Sequence, residues 1–121
     1  SWFVVAKDVK KNILYVSQGE MNEYLLSDRV IVKEMNFLGE TKPTEFTNAG
    51  VKFRYRQKDN MVQYRFISDD TVEIISSTPL KSVTPGQAAV FYDGDRCLGG
   101  GIIEEIYYRG KRKHTTFLEE E

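Results

Sequence analysis

The amino-acid sequence predicts an antiparallel all-β fold, either a sandwich or a barrel. Short runs rich in Val, Ile, Tyr and Phe recur along the chain, and clusters of Gly, Asn, Asp and Pro separate them at the spacing typical of such folds. The chain has no long segment with the periodicity of an amphipathic helix. Hydrophobic residues make up 40% and charged residues 29% of the 121 residues, which is near the globular average and predicts one packed domain.

The first 45 residues are predicted to form a hairpin and a connecting segment. Trp2 to Lys7 and Ile13 to Ser17 have the composition of strands, and Asp8 to Asn12 has that of the turn between them. Gly39 to Glu45 is polar and contains a proline, so we expect a connecting loop. This loop is the best candidate for a boundary within the chain.

Two segments lie between that hairpin and that loop. Met21 to Ser27 fits either a short helical turn or a loop. Arg29 to Phe37 alternates valines with charged neighbours and is predicted to be a strand.

The stretch from Phe46 to Arg56 has the clearest alternation. Its apolar set, predicted to face the core, is Val51, Phe53 and Tyr55, and its basic set is Lys52, Arg54 and Arg56. After a connection over Gln57 to Met61, the pattern resumes with Val62, Tyr64 and Phe66 opposite Gln63 and Arg65. These two runs predict a second hairpin.

The remainder of the chain holds further predicted strands, which are Thr71 to Ile75, Gln87 to Tyr92 and Arg96 to Tyr108. Ser68-Asp69-Asp70 and Asp93-Gly94 are predicted turns. Pro79 and Pro85-Gly86 bracket an irregular connection. Residues 109–121 are predicted to be a flexible charged tail.

A basic strand face on the second hairpin is the strongest functional signal. Its members are Lys52, Arg54, Arg56, Lys58 and Arg65, with Asp59 as the only acid from Val51 to Phe66. Because the net charge of the whole chain is −1, only this local clustering favours nucleic acid. Such a face can contact backbone phosphates with little sequence specificity, or it can be an ordinary solvated face balanced by acids on neighbouring strands.

Two glycine-containing motifs have structural interpretations. Thr84-Pro85-Gly86-Gln87 is predicted to be a turn that aims the next strand, because Pro fixes φ and Gly tolerates positive φ. Gly99-Gly100-Gly101 suggests a phosphate-binding loop, but its place inside a strand, without a following helix, favours a bulge or a close backbone approach.

The sequence contains few residues that could form a catalytic site. His114 is the only histidine and lies in the charged tail, which argues against a Ser-His-Asp or Cys-His site. Cys97 is the only cysteine; a sulfur-carrying role beside Arg96 is an alternative, but we expect Cys97 to pack inward while Arg96 faces water. We therefore expect no catalytic site, no metal site and no cofactor within these residues.

The chain has no apolar run near the roughly 18–20 residues that span a bilayer, so we expect no membrane association and a cytoplasmic location. It opens with Ser1 and continues directly into an apolar run. This start is typical of a piece of a longer polypeptide.

Several motifs together resemble one protein family. In order along the chain they are Trp2-Phe3-Val4-Val5, Lys7-Asp8-Val9, Asn12-Ile13-Leu14-Tyr15-Val16, Gln18-Gly19, Lys52-Phe53-Arg54-Tyr55-Arg56-Gln57, Thr84-Pro85-Gly86-Gln87, Phe91-Tyr92-Asp93-Gly94 and Cys97-Leu98-Gly99-Gly100-Gly101-Ile102-Ile103. This combination resembles the C-terminal region of bacterial tRNA-specific 2-thiouridylases.

The resemblance implies a small six-stranded barrel of the elongation-factor-like type over residues 46–108, with residues 1–45 as the end of a central region. It implies a parent with a PP-loop catalytic domain that uses ATP and Mg²⁺ and thiolates the wobble uridine of tRNA with persulfide sulfur. In the family, the ATP-binding loop and the catalytic cysteines lie in an N-terminal part that this chain lacks.

Two functional hypotheses follow. One is a tRNA-binding accessory domain in which Lys52, Arg54 and Arg56 contact tRNA, with Lys58 and Arg65 as weaker candidates. The other is a protein-interaction or scaffolding barrel that docks the parent's catalytic domain or a persulfide-donating protein.

Overall fold

The computed structural model describes residues 2–8, 13–18, 26–114 and 117–118, with side chains over residues 26–113. All regular structure within these residues is β-strand. The strands in chain order are β1 (Trp2–Asp8), β2 (Ile13–Gln18), β3 (Leu26–Phe37), β4 (Thr47–Lys52), β5 (Asn60–Phe66), β6 (Val72–Lys81), β7 (Ala88–Asp93), β8 (Arg96–Tyr108), β9 (Lys111–His114) and β10 (Phe117–Leu118). Of the predicted helical turn or loop at 21–27, only Leu26 and Ser27 are described, and they begin β3.

The first two strands form the predicted N-terminal hairpin. They pair antiparallel, from Trp2 opposite Gln18 to Asp8 opposite Ile13. They make a two-stranded sheet of their own. The turn predicted between them lies outside the described residues.

Six strands close an antiparallel barrel in the order β8-β3-β6-β5-β4-β7, and β7 pairs back with β8. Closure leaves no unpaired edge within this ring. β9 and β10 extend the sheet from β8, outside the ring. The prediction of an all-β fold with a six-stranded antiparallel barrel is confirmed.

The barrel interior is filled by the apolar side chains that alternate along these strands. Its fully buried members include Val30, Val32, Val51, Val72, Ile74, Phe91, Ile103 and Ile106. Tyr64 also lies inside, 2% exposed, with its ring 5.3 Å from that of Phe91. Burial of these side chains in a closed ring is what holds the strands together.

The predicted boundary at residue 45 does not coincide with an edge of the barrel. β3 precedes that boundary, yet it pairs with β6 through Val30 opposite Ile74 and with β8 through Val30 opposite Ile106. The pattern of a strand shows which face is apolar, but not which distant strand will pair with it. The division into 1–45 and 46–108 is therefore corrected, because β3 is an integral part of the barrel.

β6 is longer than predicted and includes Pro79. Ser27 pairs with Leu80, whereas Arg29 pairs with Ile75, so Asp28 alone stands opposite residues 76–79. The extra residues form a bulge, where a proline can lie because its missing N–H is not needed for the ladder. The irregular connection is correspondingly shorter and begins after Lys81.

The predicted flexible tail is wrong for residues 111–114. β9 pairs with β8, with Lys113 opposite Ile106, and β10 pairs with β9. Lys113 is 2% exposed, and its ammonium group donates to the backbone oxygen of Leu26. A charged residue can be buried in this way when its aliphatic stem packs and its nitrogen reaches a carbonyl, and sequence composition alone does not show that partner.

Two glycine motifs lie where the backbone is irregular. Gly86 has a φ of +93° in the turn between β6 and β7, and its N–H donates to the oxygen of Ile103 at 2.8 Å. Within the same turn, the Gln87 N–H donates to Thr84 O at 3.3 Å, and Gln87 Oε1 accepts from the Thr84 N–H at 3.2 Å. This turn, which includes Pro85, therefore docks on β8.

Gly99, Gly100 and Gly101 lie in β8, where β3 and β7 approach on either side. The register of β3 against β8 shifts between Lys33 and Asn36. At Gly99 the φ is +115°, and a Cβ would lie 1.9 Å from the backbone oxygen of Asn36. The backbones of β3 and β8 meet here without room for a side chain.

Candidate nucleic-acid interface

The predicted strand from Phe46 to Arg56 ends earlier, at Lys52, and the following residues form the β4–β5 loop (residues 53–59). The Phe53 N–H donates to Gln57 Oε1 at 2.9 Å, and the Gln57 N–H donates to Arg54 O at 3.3 Å. Arg56 has a φ of +74°. These local bonds replace the sheet ladder, so the alternation of faces stops at the start of the loop.

Tyr55 consequently lies on the surface, and its predicted place in the core is wrong. Its exposure is 88%, whereas Val51 and Phe53 are buried as predicted. Extrapolating the two-residue period past the true end of β4 assigned Tyr55 to the wrong side. The turn-forming Gln57 was the sequence signal that could have revealed this end.

Four of the predicted basic residues lie in or beside the loop. Lys52 is half-buried at the end of β4, with its Nζ 3.6 Å from Asp59 Oδ1 and 5.2 Å from the centre of the Tyr92 ring. Arg54 is exposed and donates from Nη2 to the backbone oxygen of Ser82 at 2.9 Å. Arg56 and Lys58 are exposed as well.

The fifth candidate, Arg65, lies elsewhere. It is five residues beyond the start of β5, roughly 16 Å along the strand at 3.3 Å per residue. Its Nε is 2.8 Å from Glu73 Oε1, and its guanidinium lies 4.6 Å from the centre of the Phe46 ring. The structure therefore brings together Lys52, Arg54, Arg56 and Lys58, but leaves Arg65 in a separate ion-pair cluster.

That cluster is centred on Glu73, which is 7% exposed. Arg29 approaches its other oxygen, with Nε 2.6 Å from Oε2, and stacks 4.6 Å from the Tyr107 ring centre. Burial alone would raise the pKa of Glu73, but hydrogen bonds and charge attraction from Arg29 and Arg65 outweigh it, so the pKa lies below its ordinary value. Arg65 is thus engaged in holding strands together.

A groove of about 490 Å³ runs along the outer surface beside the loop. Its floor is formed by Ala88 and Val90, which lie on the outward face of β7, and Tyr92 follows on the same face. Lys52, Phe53, Arg54, Tyr55 and Arg56 also line it. The sequence interpretation missed both tyrosines of this groove, Tyr55 because of the misjudged strand end and Tyr92 because its position depends on pairing between β4 and β7.

Cys97 is exposed, which corrects the prediction that it packs inward. The pairing of β7 with β8 shifts between Phe91 and Tyr92, so Cys97 stands opposite Tyr92 on the outer side while Leu98 is buried. This bulge changes the alternation by one residue. Arg96 is exposed, as predicted.

Within the described part of the chain, no three side chains among His, Cys, Asp and Glu lie close enough together to hold a metal ion. The same residues include no helix with the length and apolar character needed to cross a bilayer.

Fold and site together define a closed antiparallel barrel domain with a basic, tyrosine-lined groove on its outer surface. Residues 27–103 match the family described as the aminomethyltransferase beta-barrel domain, and the chain belongs to this family.

Three bacterial relatives show where such a barrel occurs. The chain is 49% identical over 112 residues to the tRNA-specific 2-thiouridylase MnmA of Bacillus mycoides (strain KBAB4), which covers 92% of this chain and 30% of that protein. It is 46% identical over 111 residues to the protein of the same name from Bacillus cytotoxicus, and 49% identical over 112 residues to that from Bacillus cereus (strain ATCC 14579), with the same coverage. The resemblance to the C-terminal region of tRNA-specific 2-thiouridylases is thereby confirmed, and the chain spans about 30% of the length of these relatives.

Proposed function

We propose that this barrel is the tRNA-holding part of a tRNA 2-thiouridylase. The relatives bear that name, and this chain corresponds to about 30% of their length. Thiolation of the wobble uridine, with its need for ATP, Mg²⁺ and a persulfide-donating protein, would be carried out by a PP-loop catalytic domain outside this sequence. The barrel itself would act in the cytoplasm by binding and orienting tRNA.

The observation that carries this proposal is the group of four cations at the β4–β5 loop. Arg56 and Lys58 are exposed, and Asp59 is the one acidic residue in the loop. Exposed lysine and arginine side chains bind backbone phosphates by charge attraction, which positions RNA without reading its sequence. Lys52 and Arg54 are already anchored to Asp59 and Ser82, so they present their charge from fixed positions.

The decisive experiment is a titration of unmodified tRNA with a wobble uridine into the 121-residue chain, at low and moderate salt. The test variant is Arg56→Glu/Lys58→Glu, because neither side chain takes part in the hydrogen bonds that hold the loop. We expect the wild-type chain to bind with salt-sensitive affinity and the variant to lose most of it.

A matched control is available at the turn between β8 and β9. Arg109 has a positive φ and lies near a tyrosine ring, as Arg56 does. Two residues later comes Lys111, which is exposed like Lys58. Arg109→Glu/Lys111→Glu changes the net charge equally and should bind tRNA as the wild type does. Equal binding by both double variants would contradict the proposal.

A second role, docking of another protein or domain, is favoured by a different surface. Met61 is 71% exposed and lines an outer groove whose other members are Asn48, Val62, Gln63, Ile75, Ser76 and Ser77. The side chains that line this groove are uncharged, so a partner such as the catalytic domain or the persulfide donor would bind there with little salt dependence. Met61→Lys should abolish that association and leave tRNA binding unchanged.

A further inference from the structure

We infer that the groove lined by Tyr55 and Tyr92, called here the tyrosine groove, holds one unpaired RNA base stacked on Tyr55. This inference rests on the proposed RNA-binding function and specifies which form of RNA the site takes. It adds base stacking to the phosphate contacts proposed above.

Exposure of Tyr55 is the first observation. An aromatic ring that is 88% exposed gains almost nothing from the barrel core, so its contribution to folding is small. Exposed aromatic rings beside basic residues are the usual platform for single-stranded RNA, because every base has a flat face that can stack.

The backbone that carries the ring is also held at a defined place. Phe53, two residues before it, is 5% exposed and anchors the loop in the core. The Phe53 N–H bonds Gln57 Oε1 across the tip, and Arg54 is tied to Ser82. A loop backbone fixed in this way loses little conformational freedom when a base stacks on the ring that it carries.

The surroundings match a nucleotide in both shape and charge. Ala88 and Val90 provide an apolar floor for a ring, and the volume of about 490 Å³ lies within the roughly 300–1,000 Å³ of ordinary ligand sites. Lys52, Arg54 and Arg56 line the same groove and can face the phosphates on either side of the base. A paired duplex would offer the phosphates, but it would not expose a base face for Tyr55.

The test uses a short single-stranded RNA with 2-aminopurine at one central position, and the same strand annealed to its complement. 2-Aminopurine fluorescence falls when the base stacks. For the full 121-residue chain we expect that fall on binding the single strand. Tyr55→Ala should weaken single-strand affinity by roughly 5- to 100-fold, the usual loss of one stacking partner, and leave duplex affinity unchanged.

Two controls accompany this variant. Tyr55→Phe keeps the ring and should retain wild-type affinity and quenching. Leu38→Ala removes another exposed apolar side chain, 59% exposed, and should have no effect. Since both residues lie on the surface, these substitutions leave the core intact.

The outcomes separate this inference from the proposal on which it rests. If Arg56→Glu/Lys58→Glu loses RNA binding while Tyr55→Ala binds the single strand as the wild type does, the stacking site is refuted and the phosphate-binding role stands. An equal loss of single strand and duplex in Tyr55→Ala also refutes stacking. If the wild-type chain binds tRNA but neither of these short RNAs, the stacking site is refuted and the tRNA-holding role stands. If it binds none of the three, both proposals fail.

Discussion

Gly99 occupies a position that no other amino acid could fill without displacement of β3. Its φ of +115° lies outside the range that side-chain-bearing residues adopt easily, and a Cβ would lie 1.9 Å from the Asn36 oxygen. By contrast, Gly94 has a φ of +62° in the turn between β7 and β8, with nothing within 4 Å of its missing Cβ. Comparing substitutions at the two glycines therefore separates the cost of a positive φ from the cost of a steric collision.

We predict that Gly99→Ala destabilises the barrel by about 3 kcal/mol or more, since backbone strain adds to a collision between two strands. Gly94→Ala should cost about 1 kcal/mol, from the positive φ alone. Urea unfolding followed by circular dichroism gives both values. A smaller loss for Gly99→Ala than for Gly94→Ala would mean that β3 and β8 can separate at little cost.

Among single residues, Tyr55 shows how far sequence reasoning reaches. The basic and aromatic character of its neighbourhood was readable, because those residue types are adjacent along the chain. Its exposure was not readable, because it depends on a hydrogen bond between the Phe53 backbone and the Gln57 side chain that ends the strand alternation.

At the scale of strands, Glu73 links three adjacent strands, β3, β5 and β6, on the outer face of the barrel. It lies on β6, directly opposite Arg65 on β5, and also opposite Ile31 on β3. The carboxylate accepts from Arg29 and Arg65 together, at 2.6 and 2.8 Å. Both arginine side chains are about two-fifths exposed, so water weakens the attraction.

We predict that Glu73→Gln lowers the free energy of unfolding at pH 7 by about 1–2 kcal/mol, after allowance for that screening. The folded-state pKa of Glu73 lies below its ordinary value of 4.5, so its contribution is complete above that pH. It is lost as the pH falls through the folded-state pKa. The stability difference between the wild type and the variant should therefore shrink below about pH 4.5 and vanish in stronger acid.

Urea unfolding of both proteins at neutral and acidic pH measures this effect. Glu40→Gln, at an exposed position, is the comparison and should leave stability nearly unchanged. A constant difference between the wild type and Glu73→Gln across the pH range would show that Glu73 does not stabilise the fold as a carboxylate.

For the whole molecule, charge distribution matters more than total charge. The chain carries a net charge of −1, so long-range attraction to RNA is weak and the proposed binding would depend on the local cations of the β4–β5 loop. Phosphate contacts release counterions, and the salt dependence of affinity counts those contacts.

We predict that a plot of log affinity against log salt for tRNA has a slope of about −3, as expected for four cations at 0.7–0.9 each. Loss of Arg56 and Lys58 should reduce this slope by about 1.5 in Arg56→Glu/Lys58→Glu. Fluorescence anisotropy with labelled tRNA over a salt series measures both slopes. An unchanged slope in this variant would place the phosphate contacts elsewhere on the barrel.

The sequence by itself determined the all-β class, most of the strands, several turns and the basic character of the segment around Arg54. These features are local, because a two-residue period and residues such as Gly and Asp act within a few positions along the chain. The motif pattern that spans Trp2 to Ile103 also identified the family before any pairing was known.

Only the tertiary structure decided which strands close the ring, where alternation stops and which charges are free to bind. Arg65 is held by Glu73 on the neighbouring strand, and Lys113 is held by Leu26, 87 residues earlier in the chain. The register shifts that expose Cys97 and bring Gly99 against β3 also arise from pairing between strands. Sequence patterns report which face of a strand is apolar, whereas contacts between distant residues determine what that face meets.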